Sequence, residues 1–107
     1  MQEPEVVVVA VFTAKPGSEQ MVEEALRAIS PPTHQEAGCV RYALHRAKND
    51  RCKLVLVEKW ISQAALDAHF QTAHLRSLSA LEGSLAEPIQ VLFLEALDTG
   101  DAVKGVI

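Results

Sequence analysis

Residues 58–75 join the end of a strand to the start of a helix, and they read Glu-Lys-Trp-Ile-Ser-Gln-Ala-Ala-Leu-Asp-Ala-His-Phe-Gln-Thr-Ala-His-Leu. Trp60, the only tryptophan, stands at the junction, and His69 and His74 follow it. Ser62 is predicted to cap the helix, because its hydroxyl can accept a bond from an amide of the first turn. Polar groups gathered where a strand meets a helix indicate the wall or the rim of a pocket.

Upstream of this stretch the sequence predicts a hairpin. Residues 53–60 alternate, so that Leu54, Leu56, Glu58 and Trp60 share one face of a strand. A polar turn at 48–51 would connect this strand to a partner strand over 39–47.

The remaining elements follow from β-branched runs, helical stripes and proline breaks. Residues 6–13 form a strand that is apolar on both faces, and 18–29 predict a helix ended by Ser30-Pro31-Pro32. Downstream, residues 62–72 and 74–81 predict two helical pieces, and 89–97 a last strand. The order β-α-β-β-α-β is the ferredoxin-like α+β pattern, with both helices on one face of an antiparallel sheet.

The chain is predicted to be one domain, residues 1–107, with a core over about 5–97 and a tail over 98–107. Because the other sheet face would lie bare although it carries apolar residues, a second subunit is expected to pack on it and form a homodimer. Whether the tail stays on its own subunit or lies on the partner stays open.

Composition excludes several classes of function. The net charge is −4 and no basic stripe appears, which argues against nucleic-acid binding. The longest apolar run is too short to span a bilayer, and no signal peptide precedes it, so neither a membrane nor export is expected and the protein is predicted to be cytoplasmic. Cys39 and Cys52 would lie at opposite ends of the hairpin, too far apart for a disulfide, and are expected to be free thiols.

Histidines are the candidate catalytic residues. His69 and His74 are five residues apart, which on a regular helix separates them by about 140°, so the spacing predicts no shared metal ion. Each could serve as a general base facing a pocket or as a cap on local backbone. His34 lies in a polar connector that can close over a pocket. His45 is expected to be exposed near the hairpin.

Three other residues can contact a ligand. Trp60 offers a flat apolar wall, or it packs in the core with a partner for its N–H. Glu58 shares its face, where it would face a ligand or form an ion pair with a neighbouring strand or the partner subunit. Tyr42 reaches the same face if the strand register places it opposite.

Several short patterns together resemble one family. They are residues 14–17, residues 36–45 (Glu-Ala-Gly-Cys-Val-Arg-Tyr-Ala-Leu-His), Glu58-Lys59-Trp60, and Ala68-His69 with His74. The chain is similar in these patterns to the antibiotic biosynthesis monooxygenase domain family, which includes quinol monooxygenases. The resemblance covers about residues 5–97.

The resemblance implies a dimeric α+β barrel with a pocket in each subunit. It also implies oxidation of a quinol- or anthrone-like aromatic by O₂ without cofactor or metal. Carried onto this chain, His69 or His74 would be the base, Trp60 the ring-contacting wall, and Tyr42 and Glu58 the orienting groups.

Two alternatives remain open within the same scaffold. One is another small-molecule enzyme, such as an isomerase, and the other is a non-catalytic dimeric ligand-binding or stress-response protein. The haem-degrading relatives carry an asparagine in their first strand. The corresponding strand here has none, which disfavours haem breakdown.

Overall fold

A computed structural model describes residues 4–107 of the chain. The strands are β1 (Val6–Thr13), β2 (Cys39–Ala47), β3 (Asp50–Trp60) and β4 (Gln90–Leu94). The helices are α1 (Glu19–His34), α2 (Gln63–Phe70) and the single turn α3 (Ala73–Arg76), which continues into a 3-10 helix over Ser77–Ser84.

The four strands form one antiparallel sheet in the order β2-β3-β1-β4. β1 pairs with β3 and β4, while β2 occupies one edge through its hairpin with β3. This arrangement confirms the predicted α+β fold with the ferredoxin-like order of elements. It also places Glu58 of β3 between Tyr42 of β2 and Val8 of β1, each of which is its direct cross-strand partner.

The core lies between the helices and one face of the sheet. Alternate residues of β1 and β3 point into it, including Val8, Phe12 and Leu56, and Leu26 of α1 meets them from the helical layer. Each such side chain stabilises the fold by roughly 1.5–3 kcal/mol when it is fully buried. Period-two burial in the strands therefore fixes which side chains can face a cavity on this side.

Helix α1 runs past the prolines that were predicted to end it. Pro31 and Pro32 both lie inside its last turn, and the helix ends at His34. Ser30 and Thr33 donate their hydroxyls to carbonyls one turn earlier, at 2.9 and 2.8 Å, and so add side-chain hydrogen bonds to the turn in which the prolines have no N–H to donate. The stop predicted after residue 29 was therefore wrong, because the buried Thr33 anchors the final turn.

The region after β3 departs from a continuous helix. Ser62 caps α2 as predicted, its hydroxyl accepting from the amide of Ala65 at 3.1 Å. α2 ends at Phe70, and a second cap, Thr72, starts α3 by accepting from the amide of Leu75 at 3.3 Å. The chain therefore changes direction between His69 and His74.

The outer face of the sheet carries apolar side chains. Val9 pairs with Val57 and with Leu92, which is 59% exposed, and all three lie opposite the core side. Cys39 and Cys52 are free thiols. No helix within residues 4–107 combines the length and the apolar character needed to cross a bilayer.

Candidate active site

A cavity of about 690 Å³ opens between the inner face of the sheet and the helical layer. β1 contributes Val8, Ala10 and Phe12 to its wall. The opposite side is formed by α2, α3 and the 3-10 helix, and the mouth by the segment that leads into β4. The wall is mostly apolar, with a few polar groups that converge at its inner end. This combination is typical of a small-molecule site.

His69 is the most enclosed titratable group on this wall. It lies on α2, is only 1% exposed, and its Nδ1 stands 2.8 Å from Oε2 of Glu36. Because a carboxylate can only accept, Nδ1 is assigned the proton and Nε2 keeps the lone pair. Burial lowers the pKa of His69, and the Glu36 carboxylate opposes that effect. The imidazole of His69 therefore lines the cavity with one nitrogen held by Glu36 and its pKa below the ordinary value.

His74 binds the same carboxylate from the other side. Its Nε2 lies 2.7 Å from Oε2 of Glu36, and it does not line the cavity. The prediction from the five-residue spacing, that the two histidines point apart, was wrong. It assumed one regular helix, whereas the break capped by Thr72 turns His74 back toward His69.

The donor set of Glu36, His69 and His74 can also approach one metal ion. One ligand atom from each residue lies within 4.8 Å of the other two. Two imidazoles and a carboxylate suit Zn²⁺ or Fe²⁺. In the structure, Nδ1 of His69 and Nε2 of His74 both lie at hydrogen-bonding distance from Oε2 of Glu36, so the three side chains also form a hydrogen-bond network.

Glu58 and Trp60 form a buried pair behind and beside His69. The indole Nε1 donates to Oε1 of Glu58 at 2.9 Å, which satisfies the Trp60 N–H. Glu58 lines the cavity, and burial raises its pKa to about 7 despite the opposing effect of this hydrogen bond. Trp60 itself is fully buried, with its ring centroid 4.5 Å from that of His69. It supports the imidazole and does not form the cavity wall.

Tyr42 lies at the inner end of the cavity, edge-on to His69 with 5.5 Å between ring centroids. It is 5% exposed, and its hydroxyl has no hydrogen-bond partner among the described residues. The neighbouring Thr33 hydroxyl favours the ionised form slightly but stands outside bonding geometry. Burial raises the pKa of Tyr42 far above its ordinary value, and the charge of Glu58 adds to the rise. The hydroxyl is therefore a neutral donor.

The sixth predicted site residue, His34, lies on the far side of Tyr42. Its Nε2 is 2.9 Å from the Tyr42 carbonyl oxygen, and it lines a separate groove of about 470 Å³. The structure thus brings His69, Tyr42 and Glu58 together on the main cavity. Trp60 and His74 stand behind that group, and His34 stands apart from it.

Glu36, which contacts both histidines, is not among the site residues predicted from the sequence. The sequence feature that could have pointed to this loop is Gly38, two residues later. A Cβ atom at Gly38 would lie 2.3 Å from the Cβ of Ala65, so only glycine allows this loop to pack on α2. That contact brings the Glu36 carboxylate to His69.

Comparison with known proteins agrees with this architecture. The family model described as antibiotic biosynthesis monooxygenase matches residues 5–81. A Mycobacterium tuberculosis protein named "Putative monooxygenase Rv0793" is 35% identical over 91% of this chain and 96% of its own length. Its solved structure superposes with a TM-score of 0.83, at 33% identity over 91% of this chain and 99% of that one.

A Pseudomonas aeruginosa protein, PA3566, gives a TM-score of 0.85 at 32% identity, over 92% of this chain and 99% of that one. These matches agree with the fold described above, and the family and the names of the relatives support a monooxygenase-like function. The chain belongs to the antibiotic biosynthesis monooxygenase family.

Proposed function

We propose that this protein is a cofactor-independent monooxygenase that oxidises a small electron-rich aromatic, such as a quinol or an anthrone, with O₂. One observation carries the proposal. A buried neutral imidazole, His69, lines an apolar cavity of about 690 Å³ while Glu36 holds its other nitrogen. A base fixed in a water-poor cavity suits a substrate that becomes reactive toward O₂ once it loses a proton.

The first step is proton removal from the ring substituent. Nε2 of His69 takes a phenolic proton, or the activated C–H proton of an anthrone, and the resulting imidazolium is stabilised by Glu36 at 2.8 Å. The hydroxyl of Tyr42 donates to the oxygen that becomes negative. Glu58 accepts from a second hydroxyl of the substrate and fixes the ring orientation.

The second step needs no redox group beyond the substrate anion and O₂. The anion gives one electron to O₂, the two radicals combine into a peroxide anion on the ring carbon, and protonated His69 returns its proton to give the hydroperoxide. Loss of water then leaves a carbonyl. In sum, a CH₂ group and O₂ give C=O and H₂O, so that the substrate gains one oxygen atom and loses two hydrogen atoms. The protein orients the ring, accepts the proton and excludes water.

The remaining candidate residues support this geometry. Trp60 packs on His69 and holds Glu58, so it contributes to substrate binding through those two groups. His74 bonds to the same Glu36 carboxylate oxygen and thereby adjusts the strength of the hydrogen bond between Glu36 and His69. His34 bonds the backbone of Tyr42 and so fixes the strand at the inner end of the cavity.

We also propose that the active form is a homodimer in the cytoplasm. The outer sheet face presents Val9, Val57 and Leu92, and burial of such a face against a second copy would complete a barrel around the two sheets. Neither sheet face would then be left in water.

Oxygen consumption by the purified, chelator-treated protein with reduced naphthoquinols and anthrones tests the function. Each rate is compared with autoxidation of the substrate alone, and isotopically labelled dioxygen is used to trace the product. Uptake above background with one labelled atom in the product is the expected result. A product of unchanged mass would instead support an isomerase. Saturable binding without turnover across the panel would support a binding protein.

A further inference from the structure

The charged side chains on the cavity wall are almost all acidic. The carboxyl groups there belong to Glu58 at the inner end and to Glu82 and Glu87 at the rim. Among the described residues that line the cavity, none is a lysine or an arginine. The site therefore offers an anionic ligand no permanent countercharge.

The two rim carboxylates belong to exposed residues that also line the cavity, so they lie at its solvent-facing edge. Glu82 lies on the 3-10 helix and Glu87 on the segment before β4, and both are exposed. The Thr13 hydroxyl donates to Oε1 of Glu87 at 3.1 Å, which holds that carboxylate at the end of β1. Negative charge at both sides of the mouth repels an approaching anion.

The inner end offers only groups that suit a neutral ligand. The buried Tyr42 hydroxyl is unpartnered and can donate to a carbonyl or hydroxyl oxygen, and Glu58 can accept from a hydroxyl. The imidazole on the wall, His69, already has the Glu36 carboxylate as its partner at 2.8 Å. An anionic substituent would lose its hydration here without gaining a cation, which is costly.

We propose that the cavity selects uncharged hydroxylated aromatic rings and excludes rings that carry a carboxylate or another anionic group. The selectivity comes from Glu82 and Glu87 at the rim, combined with the absence of any cationic side chain on the described wall. This inference rests on the proposed function, because it names the substrate class of the same cavity. It concerns binding, however, and can be tested without turnover.

The test is calorimetric binding of naphthol and of its carboxylated analogue hydroxynaphthoate to the full chain under anaerobic conditions. Wild-type protein is expected to bind naphthol on the order of tenfold more tightly, an effect that added salt reduces. The double variant Glu82→Gln/Glu87→Gln is expected to bring the two affinities to within about threefold, mainly by improving the binding of hydroxynaphthoate.

A matched control removes the same net charge elsewhere. Glu24→Gln/Glu95→Gln changes two exposed carboxylates that do not line the cavity, and it should keep the wild-type preference. Equal or tighter binding of hydroxynaphthoate by the wild type, failure of both probes to bind, or an equal effect of the two double variants would overturn the proposal. A lack of O₂ uptake with clear selectivity for naphthol would overturn only the proposed reaction.

Discussion

The indole N–H of Trp60 donates to the carboxylate of Glu58 across 2.9 Å, and both side chains are buried. A single neutral donor leaves the rest of that carboxyl group without a countercharge in an apolar wall. Burial therefore outweighs the hydrogen bond and raises the pKa of Glu58 to about 7. Glu58 is thus the hydrogen-bond acceptor proposed for the substrate, and it lowers the stability of the fold when it ionises.

Glu58→Gln should stabilise the protein only at higher pH. Because the pKa of Glu58 is raised in the folded state from 4.5 to about 7, its contribution to stability is fully present below the unfolded value and is lost as the pH rises through about 7. Glutamine removes the ionisation but still accepts from Trp60. The gain in unfolding free energy should reach roughly 3 kcal/mol at most near pH 8 and vanish near pH 4.

Urea denaturation at the two pH values measures this difference. Glu87→Gln is the control, because that carboxylate is exposed on the rim of the cavity. An equal effect of Glu58→Gln at both pH values would show that the carboxyl group is not destabilised by its surroundings.

His69→Ala should lower turnover by roughly a hundredfold or more, which is the usual loss when a general base is removed. His74→Ala should cost less than tenfold, because His74 only shares the Glu36 carboxylate and does not line the cavity. Steady-state O₂ uptake with an active substrate measures both. Equal losses in the two variants would contradict the assignment of His69 as the base. Circular dichroism checks that both variants are folded, and His69→Gln replaces His69→Ala if the alanine variant is not.

Glu36→Gln should shift the pH profile and not merely reduce the rate. The Glu36 carboxylate favours protonated His69, so its neutralisation should lower the pKa of His69 further and move the acid limb of the pH–rate profile to lower pH. Titration of the His69 ring by NMR provides an independent measurement. A lower rate with an unmoved acid limb would mean that Glu36 acts only through the structure of its loop.

The fold could be predicted from the sequence because its signals are periodic and local. Alternation in residues 53–60 separates buried Leu54 and Leu56 from the outer face, and Ser62 marks the start of α2 as expected. The end of α1 could not be predicted, since a buried Thr33 and side-chain hydroxyl bonds carry the helix past Pro31 and Pro32.

The site was predictable only in part. His69, Tyr42 and Glu58 could be named as candidates from residue type and strand phase. The contact of His69 and His74 with one carboxylate depends on the backbone break capped by Thr72. It also depends on the loop that brings Glu36 to His69, which lies 33 residues later in the chain. Both are tertiary relationships that no spacing rule contains.

Removal of metal ions should leave turnover unchanged if the network of Glu36, His69 and His74 works by sharing protons. O₂ uptake before and after dialysis against a strong chelator measures this, with the metal content checked by mass spectrometry. Added Zn²⁺ should inhibit, because it would compete for Nδ1 of His69 and withdraw the Glu36 carboxylate. Loss of activity on chelation, with recovery on adding a divalent cation, would assign these three residues to a metal centre instead.

Leu92→Asp should convert the proposed homodimer into monomers. Leu92 lies on the outer face of β4 opposite Val9, and it is 59% exposed in the single subunit, so a charge there would be buried without a partner in a sheet-to-sheet interface. Light scattering coupled to size-exclusion chromatography measures the mass, and the matched control is Met21→Asp, an exposed position on the helical layer that should stay dimeric. The loss of the partner should also expose the apolar face to the dye ANS. If the Leu92 variant keeps the mass of the wild type, or if the wild type is itself monomeric, the outer sheet face is not the interface between subunits.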